Sequence, residues 1–451
     1  MKQVHIATFG CQMNDQDSRM MAQILAGYDY EWTDQIDQAD LILVNTCSIR
    51  QKAEDKTYSL LGRLKRLKTN NPRLVIGVGG CVAQQEGEKL LEKVPYLDLV
   101  FGTKLIPCLP EMIRGVERDG IRLARTDLLQ PLSYPVLPDS RKAPFPPVKA
   151  SVTIMQGCNN YCTYCVVPFV RGREESRSSR EILSEVKTLV NQGVKEILLL
   201  GQNVNSYGQN RPGELTFARL LAHLEEISGL ERIRFTTSHP KDLSQELMAC
   251  FGQLSKLCEH IHLPVQAGSN STLGKMNRRY TREIYLEKIQ ALREHCPTIA
   301  VTSDVIVGFP GETRMDFERT LELLQEVRFD DLFSFKYSDR PLTRARLFPD
   351  QVEAEEKSLR LKKLQAFQKE VTLARNKALE GTIQSVLVDG FSKKSPLEWT
   401  GRTRTNKVVN FSGPPELLGR TLPVKIEKAT LHSLKGSTQQ TDMELEKVHG
   451  N

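Results

Sequence analysis

Three cysteines lie within eight positions of one short segment, and their spacing is the first chemical signal in the sequence. The segment GCNNYCTYC, residues 157–165, holds Cys158, Cys162 and Cys165 and no fourth cysteine. Three thiolates can ligate three irons of a cubane 4Fe–4S cluster and leave the fourth iron open to another ligand. A structural zinc site would need a fourth protein ligand, and the nearest downstream histidine is His223. The spacing therefore favours an iron–sulfur cluster with one open position.

A second set of cysteines is dispersed along the first hundred residues. Each member directly follows a predicted buried strand: VHIATFG, LILVNT or LVIGVGG precedes Cys11, Cys47 and Cys81, respectively. The carboxyl ends of parallel strands share one edge of a sheet, where cofactors bind, so these thiols are expected to meet in space. The alternative for each is a buried core cysteine. A further four cysteines are interpreted as structural: Cys108, Cys250, Cys258 and Cys296.

The elements around the second set predict an α/β domain with a parallel sheet over residues 1–116. The helical patterns DQDSRMMAQILAG and AQQEGEKLLEKV separate the strands. A stretch with six prolines, residues 130–150, has little apolar periodicity and is typical of a linker. We therefore predict a Pro-rich linker over residues 117–150.

A longer strand–helix alternation follows over residues 151–375. The strand patterns are SVTIMQ, KEILLL, RIRFTT, EHIHLP, TIAVTSDVIVGF and DLFSFKYS, and helical patterns follow the first five. Six such units predict a partial (β/α)6 barrel, open where a full eight-unit barrel would close. The loop GCNNYCTYC would then lie after the first strand, at the carboxyl-end face where barrel active sites occur.

The last part of the chain predicts a small basic β-barrel. A long charged helix pattern over residues 349–381 precedes the β-rich runs TIQSVLV, RTRTNKVVNF and TLPVKIEKATL. Residues 381–436 contain nine Lys and Arg against four Asp and Glu, which supplies most of the net charge of +7. This charge indicates a polyanion partner for an OB-like module over residues 376–440, with a solvated face as the alternative. Residues 441–451 are predicted to be a tail.

The composition predicts a cytoplasmic protein. No signal-peptide pattern and no apolar run long enough to cross a membrane occurs in the 451 residues. The ten cysteines are then not expected to form disulfides, because the cytosol keeps thiols reduced. No long exposed apolar face demands a partner, so a monomer is expected.

The C-x3-C-x2-C loop, with Tyr164 before its last cysteine, resembles the radical S-adenosylmethionine (SAM) enzymes. Together with the three-cysteine domain and the basic β-barrel, it resembles the methylthiotransferase family within them. The type most similar, MiaB, modifies N6-isopentenyladenosine beside the tRNA anticodon. The stretches that carry the resemblance run through nearly the whole chain: TFGCQMN, NTCSIR, GGCVAQ, GCNNYCTYCVVPFVRGREESR, LLGQNVNSYG, HLPVQAGS, VIVGFPGET and GRTRTNKVVNF.

The resemblance implies two 4Fe–4S clusters, two uses of SAM and a TRAM domain at the carboxyl end. One cluster would be bound by Cys158, Cys162 and Cys165 and would cleave SAM to a 5′-deoxyadenosyl radical. An auxiliary cluster on Cys11, Cys47 and Cys81 would hold the sulfur that is transferred. The resemblance and their positions at strand ends nominate five SAM-binding residues: Gln202, Asn203, Ser238, Gln266 and Asp304.

The resemblance further implies a tRNA anticodon stem–loop bearing isopentenyladenosine as substrate. Arg402, Arg404 and Lys407 would contact its phosphates. Arg171, Arg173 and Arg177 could meet phosphates or pair with neighbouring glutamates, and the sequence does not separate the two. Reduction and sulfur supply would need an electron donor of the reductase or flavodoxin type and a sulfur donor.

Three other functions remain open at this level. Two are methylthiolation of a ribosomal protein aspartate and of threonylcarbamoyladenosine in tRNA. The third is a non-catalytic iron–sulfur RNA-binding protein, against which the intact C-x3-C-x2-C loop argues. The chain departs from the family pattern in RPLTRA, where Leu342 stands in place of an expected glycine.

Overall fold

The structure, a computed structural model, describes residues 1–48, 51–128, 148–392 and 395–438. Within these ranges a parallel α/β sheet, an open (β/α) barrel and a closed β-barrel follow one another along the chain. Most of the predicted linker, residues 129–147, and the predicted tail lie outside the described residues. None of the described helices has the length and apolar character that a membrane crossing requires.

The first domain is built on six parallel strands. They are β1 (Lys2–Thr8), β2 (Tyr30–Trp32), β3 (Leu41–Thr46), β4 (Val75–Gly80), β5 (Leu99–Phe101) and β6 (Leu123–Arg125). Their spatial order is β2-β1-β3-β4-β5-β6. The helices are α1 (Gln12–Ala26), α2 (Gln51–Asn70), α3 (Cys81–Glu86), α4 (Glu88–Lys93) and α5 (Leu109–Asp119). The order reverses direction between β1 and β3, which makes their carboxyl ends a topological switch point.

The apolar run in β3 is explained by helices that cover both faces of the sheet. All six residues of this strand are buried. Leu41 and Leu43 pack into one apolar cluster, whereas Ile42 and Val44 pack into another. Successive side chains of a strand point to opposite faces, so a strand buried on both sides is apolar throughout.

The sheet extends beyond residue 116, where the sequence analysis ended the first domain. Helix α5 ends at Asp119, and β6 pairs in parallel with β5, with Leu123 opposite Leu99. Both elements enter the range that was predicted to be linker. The three residues of β6 are too few to give a strand pattern that the sequence alone reveals.

The second domain is the open barrel that the sequence predicts. Its strands are β7 (Lys149–Thr153), β8 (Met155–Gln156), β9 (Glu175–Ser176), β10 (Glu196–Leu200), β11 (Arg232–Phe235), β12 (His260–His262), β13 (Ala300–Val307) and β14 (Asp331–Lys336). Parallel pairing gives β7-β10-β11 and β12-β13-β14, and a bridge between Ile233 and Leu257 links the two halves. Six parallel barrel strands result, while β8 and β9 form a separate antiparallel pair at the cysteine loop.

Seven helices accompany these strands. They are α6 (Val167–Val170), α7 (Ser179–Asn191), α8 (Phe217–Glu225), α9 (Gln245–Gln253), α10 (Asn270–Lys275), α11 (Arg282–His295) and α12 (Arg314–Val327). Ile197 and Ile233 pack beneath the helices in the main apolar core. On the opposite face of the same strands, Glu196 and Arg234 form a buried ion pair at 2.9 Å. The interior of the barrel is therefore polar.

The third domain is a closed five-stranded barrel, as predicted. Helix α13 (Ala354–Lys377) leads into β15 (Ile383–Ser392), β16 (Ser395–Thr403), β17 (Val408–Phe411), β18 (Thr421–Ala429) and β19 (Leu434–Ser437). The strand order is β15-β16-β17-β19-β18. Buried side chains from these strands, including Val386, Trp399 and Phe411, form its own small core.

The third domain covers the amino ends of the barrel strands. Arg232, the first residue of β11, donates to the carbonyl oxygens of Arg402 at 2.7 Å and Ser385 at 3.0 Å. Arg234 donates to the carbonyl oxygen of Thr403 at 2.7 Å. Lys149, the first residue of β7, pairs with Asp389. The cysteine loop at the carboxyl ends is thus at the opposite end of the barrel.

Leu342 has a backbone conformation that explains why a glycine is expected there. Its φ is +70°, in the left-handed region, and its side chain is exposed. A Cβ atom makes this region unfavourable for residues other than glycine. The departure from the family pattern therefore lies in a surface turn.

Candidate active site

The loop that carries Cys158 begins at Gly157. No other residue could replace this glycine unless the neighbouring backbone moved. Gly157 has φ +82°, and a Cβ atom on it would lie 2.0 Å from the carbonyl oxygen of Arg173. Its amide donates to Oε1 of Gln202 at 2.6 Å, and the amide of Cys158 donates to the carbonyl of Gly172 at 3.2 Å. These contacts fix where the loop leaves the barrel strand.

The far side of the loop is held by the segment after α10. The amide of Thr163 donates to the carbonyl of Met276 at 3.1 Å, and Nδ2 of Asn277 donates to the carbonyl of Tyr161 at 3.0 Å. Within the loop, the amide of Cys165 donates to the carbonyl of Cys162 at 2.9 Å. The cysteines are therefore positioned by backbone contacts that do not depend on a bound group.

Arg278 is a site residue that the sequence analysis missed. Its guanidinium is buried and donates to Sγ of Cys162 at 3.4 Å and to the carbonyl of Pro264 at 2.7 Å. A guanidinium is always charged, so it places a positive charge beside the sulfur of Cys162. In the sequence Arg278 is one of two adjacent arginines, and nothing there marks which is buried.

The remaining thiols of the loop need a positive group to ionise. Burial raises the pKa of Cys158 to about 11 and also raises the pKa of Cys165, and the neighbouring sulfur of Cys162 adds to both shifts. At neutral pH they are thiols unless a cation binds, because burial penalises the charged form. Sulfur ligands are the donors that iron–sulfur clusters require, so the residues fit such a group.

The second set of cysteines meets at the topological switch point, as the strand-end rule predicts. Cys11 caps the amino end of α1, Cys47 follows β3, and Cys81 is the first residue of α3. The register places Thr8 of β1 opposite Asn45, and Thr46 opposite Gly80 of β4. A hydrogen bond with Cys47 lowers the pKa of Cys11 to about 6, against the opposing effect of burial. These two sulfurs are thus in contact.

Neither set is arranged around a single metal ion. In the ranges that the structure describes, no three His, Cys, Asp or Glu side chains are close enough together to hold one ion.

A buried amide network supports the second set. Nδ2 of Asn14 donates to Oδ1 of Asn45 at 3.1 Å, and Nδ2 of Asn45 donates to Oγ of Ser18 at 2.9 Å. Oδ1 of Asn14 accepts from the amide of Cys11 at 3.3 Å. The network ties α1 to β3, and so fixes the loop of Cys11 against that of Cys47.

One buried ion pair joins the two domains between the cysteine sets. Nη2 of Arg171, six residues after Cys165, donates to Oδ2 of Asp17 in α1 at 2.6 Å, and both residues are buried. Burial raises the pKa of Cys81, and the nearby charge of Arg171 partly offsets that rise. Cys81 also packs against Val166 and Val170. The two sets of cysteines thus approach each other across this boundary.

The ion pair resolves the question that the RGREESR segment raised. Arg171 pairs with Asp17, and Nη1 of Arg177 pairs with Oε2 of Glu185 at 2.7 Å. Arg173 is exposed. Arg171 and Arg177 therefore have partners in the chain itself, and Arg173 alone among the three faces solvent.

Four of the five residues nominated for SAM come after the carboxyl ends of barrel strands, whereas Asp304 lies within β13. Three have a buried side-chain oxygen without a hydrogen-bond partner in the described part of the chain: Asn203, Ser238 and Gln266. Gln266 also has φ +73°, an uncommon backbone conformation for a residue other than glycine. Buried polar atoms are rarely left unpaired, so these oxygens are suited to a polar ligand.

The other two nominated residues already have partners. Oε1 of Gln202 accepts from the amide of Gly157, as described above. Oδ1 of Asp304 lies 3.5 Å from Nε2 of His262. The side chains of Gln202 and Asp304 border the polar interior of the barrel, and each is held in place by the contact just described.

The three residues nominated for RNA lie at the opposite end of the barrel. Arg404 pairs with Glu259 at 2.7 Å and donates to the carbonyl of Leu257. Lys407 lies 3.4 Å from Asp330, and Arg402 donates to Asn406 at 3.2 Å. Arg404 and Lys407 thus hold the third domain against the amino ends of the barrel strands.

Three family patterns match the chain, and they reproduce its division into three domains. They are the uncharacterized protein family UPF0004 over residues 3–102, the radical SAM superfamily over 152–324 and the TRAM domain over 377–438. Each match falls on one of the three folded units.

Full-length relatives share about half of the sequence. A protein of Geobacter metallireducens named tRNA-2-methylthio-N(6)-dimethylallyladenosine synthase is 53% identical over 96% of this chain and 98% of its own length. A protein of the same name from Syntrophus aciditrophicus is 51% identical over 96% of this chain and 94% of its own length.

A solved structure of much lower identity shares the fold. The radical SAM methyltransferase TsrM from Kitasatospora setae superposes with a TM-score of 0.59 at 15% identity, covering 76% of this chain and 77% of that one. The likeness supports the arrangement of the sheet and the open barrel.

The Asp17→Ala variant is expected to be strongly destabilised, because it leaves the buried Arg171 guanidinium without its partner. Removing one member of a buried ion pair costs about 3–5 kcal/mol. The thermal midpoint of the full-length protein measures the effect. Asp119→Ala is the control, since the Arg118–Asp119 pair is at the surface, and it should leave the midpoint unchanged. Equal midpoints for the two variants would contradict the role of Arg171 and Asp17.

The Arg278→Met variant is expected to lower the midpoint potential of an iron–sulfur cluster bound at Cys162. A nearby positive charge favours the reduced, more negative state, so its loss disfavours reduction. A redox titration followed by electron paramagnetic resonance measures the shift. Arg279→Met removes the same charge from the exposed neighbouring residue and should change the potential less, while Arg278→Lys should restore part of it. Equal shifts in the two methionine variants would refute the assignment.

Proposed function

The chain belongs to the methylthiotransferase family of radical SAM enzymes, and we propose that it converts N6-isopentenyladenosine of tRNA to its 2-methylthio derivative. The reacting base is position 37, next to the anticodon. One observation carries the proposal: Cys81 packs across a domain boundary on Val166 and Val170, directly after the other cysteine loop, in a chain whose full-length relatives are about half identical to it. The names of these relatives favour the tRNA base over a ribosomal protein aspartate or threonylcarbamoyladenosine.

The reaction replaces an unactivated aromatic C–H bond, at C2 of adenine, with a methylthio group. No acid–base side chain removes that hydrogen at neutral pH, so the site must provide a radical. When bound, a 4Fe–4S cluster with SAM supplies the 5′-deoxyadenosyl radical, and an auxiliary 4Fe–4S cluster supplies the methylated sulfur. The protein itself must hold, orient and shield these groups.

Cys158, Cys162 and Cys165 would ligate the first cluster. With only three cysteines in this loop, one iron keeps a position for SAM. Arg278 places its positive charge against the sulfur of Cys162 through its donated hydrogen bond. The backbone contacts of Gly157 and Thr163 hold the loop at the carboxyl ends of the strands before any ligand binds.

SAM would lie across the carboxyl ends of the barrel strands. Asn203, Ser238 and Gln266 each offer a buried oxygen that has no partner in the described structure. These oxygens can accept hydrogen bonds from ribose hydroxyls, the amino group or adenine. Gln202 and Asp304, which already contact Gly157 and His262, would complete the rim.

Cys11, Cys47 and Cys81 would ligate the auxiliary cluster at the switch point of the first sheet. The Arg171 side chain, which comes from the barrel domain, provides a positive charge beside Cys81. Because Val166 and Val170 pack directly on Cys81, the transferred sulfur would be close to the radical.

The tRNA must present its base to the polar end of the barrel. A base in a single-stranded loop leaves its stack at low cost, which suits an anticodon loop. The contacts of Arg404 and Lys407 with Glu259 and Asp330 favour domain docking over RNA binding as their role. Binding of RNA by Arg402, Arg404 and Lys407 stays a prediction.

The remaining requirements follow from the proposed reaction. It consumes electrons, which a reductase or flavodoxin-type protein would deliver, and a sulfur donor must rebuild the auxiliary cluster. A cytoplasmic monomer acting on tRNA fits these requirements.

Replacing Cys158, Cys162 and Cys165 by alanine should leave roughly half of the iron and sulfide, since one of two cubanes remains. The Cys11, Cys47 and Cys81 triple variant should also keep about half, yet still cleave SAM to 5′-deoxyadenosine. Iron and sulfide analysis of anaerobically reconstituted protein measures both, with Cys250→Ala as the control. Unchanged or zero iron in a folded triple variant would disprove two independent clusters.

The tRNA nucleosides of cells that lack this chain, and of cells that regain it, test the substrate. Mass spectrometry should show the 2-methylthio-isopentenyl nucleoside only where the chain is present. Cells that carry either triple-cysteine variant should accumulate the unmodified isopentenyl nucleoside, because each set of cysteines is needed. If the 2-methylthio nucleoside does not follow the chain, the substrate assignment fails.

A further inference from the structure

We propose that a basic cleft beside the cysteine loop is the docking site of an acidic one-electron carrier protein, a proposal that rests on the function above. The cleft has a volume of about 700 Å³. Its walls include Tyr161 and Thr163, the two neighbours of Cys162 in the chain, together with Lys275, Arg279 and Arg344. The cleft therefore lies where the cysteine loop comes closest to the surface.

The lining of the cleft is positively charged. Three cations line it, and no acidic side chain does. Lys275 donates to the carbonyl of Gly311 at 2.8 Å, whereas Arg279 and Arg344 are exposed and have no carboxylate within ion-pair distance in the described ranges. By contrast, the buried Arg171 and Arg234 each have a carboxylate partner. An exposed cluster of one sign attracts a partner of the opposite sign.

The backbone around the cleft is held in an uncommon conformation. Tyr161, Asn277 and Arg279 have φ values of +48°, +59° and +59°, in the left-handed region. Residues other than glycine adopt this region at a cost and concentrate at functional sites. Asn277 secures two of these turns by donating to the carbonyls of Asn160 and Tyr161. The cleft is therefore a formed surface, prepared for a partner.

The surroundings of Arg344 favour a protein partner over RNA. Leu342 and Leu347 lie on either side of it in the chain, with exposed fractions of 52% and 78%. Large exposed aliphatic side chains beside arginines are typical of protein interfaces. Surfaces that bind single-stranded RNA combine cations with stacking aromatic rings, and only Tyr161 in this cleft is an exposed aromatic residue.

The cleft does not overlap the site proposed for SAM. Asn203, Ser238 and Gln266 are not among its lining residues, so a carrier can bind while SAM is in place. One electron passes from the reduced carrier to the cluster held by Cys158, Cys162 and Cys165. The carrier is oxidised by one electron, and neither an atom nor a proton is transferred.

A double charge reversal, Arg279→Glu with Arg344→Glu, tests the proposal in the full-length, anaerobically reconstituted protein. Reduced flavodoxin serves as the acidic carrier, and the loss of cluster absorbance gives the rate of reduction. At low salt the rate should fall about tenfold, as for other charge reversals that weaken association. Reduction by dithionite and the affinity for an anticodon stem–loop should not change. Arg180→Glu with Lys187→Glu, two exposed cations of α7, is the matched control and should behave as the parent protein does.

An unchanged flavodoxin rate in the double variant would overturn the proposal. A loss of stem–loop affinity with an unchanged flavodoxin rate would assign the cleft to RNA instead. If the double variant alters reduction by dithionite, the single variant Arg344→Gln, which lies outside the cysteine loop, gives a second measurement. Its rate of reduction by flavodoxin should fall about threefold. If the parent protein fails to cleave SAM after dithionite reduction, the proposed function is rejected. The docking proposal is not rejected by that result, because its assay measures only electron transfer.

Discussion

The contact between Arg171 and Asp17 is the constraint on which the arrangement of the site depends. Two opposite charges lie buried at 2.6 Å in a boundary between domains, and neither is tolerable there without the other. Arg171 comes from the segment that follows the cysteine loop, whereas Asp17 belongs to the helix that Cys11 caps. The pair therefore fixes the two cysteine sets relative to each other. Thr103 and Lys104 reinforce the same boundary through contacts with Val170 and Glu175.

The barrel is chemically different at its two ends. At the amino ends, Arg232 and Arg234 donate to backbone carbonyls of the third domain, so that the polar interior is sealed by satisfied hydrogen bonds. At the carboxyl ends, Asn203, Ser238 and Gln266 keep oxygens without partners in the described structure. A stable fold pairs its buried polar groups. These three oxygens lie where a ligand could pair them, and the third domain covers the opposite end of the barrel.

Much of this organisation could be predicted because it depends on local patterns. The spacing of Cys158, Cys162 and Cys165 is a property of one loop, and the positions of Cys11 and Cys47 follow from the rule that parallel strands end at one edge. The first domain boundary could not be predicted as well. Strand β6 has only three residues, so its pattern is too short to separate from the proline-rich segment after it.

The two cysteine sets, the order of the three domains and four of the five polar residues after strands could be predicted, because spacing and periodicity encode them. The role of each arginine, by contrast, depends on the tertiary fold. Arg171 meets Asp17, Arg278 meets Cys162, and Arg404 meets Glu259, across separations of 154, 116 and 145 residues. An arginine has the same composition and charge whether it faces solvent, a thiolate or a carboxylate. Its role is set by the partner that folding brings to it, and no local pattern records that partner.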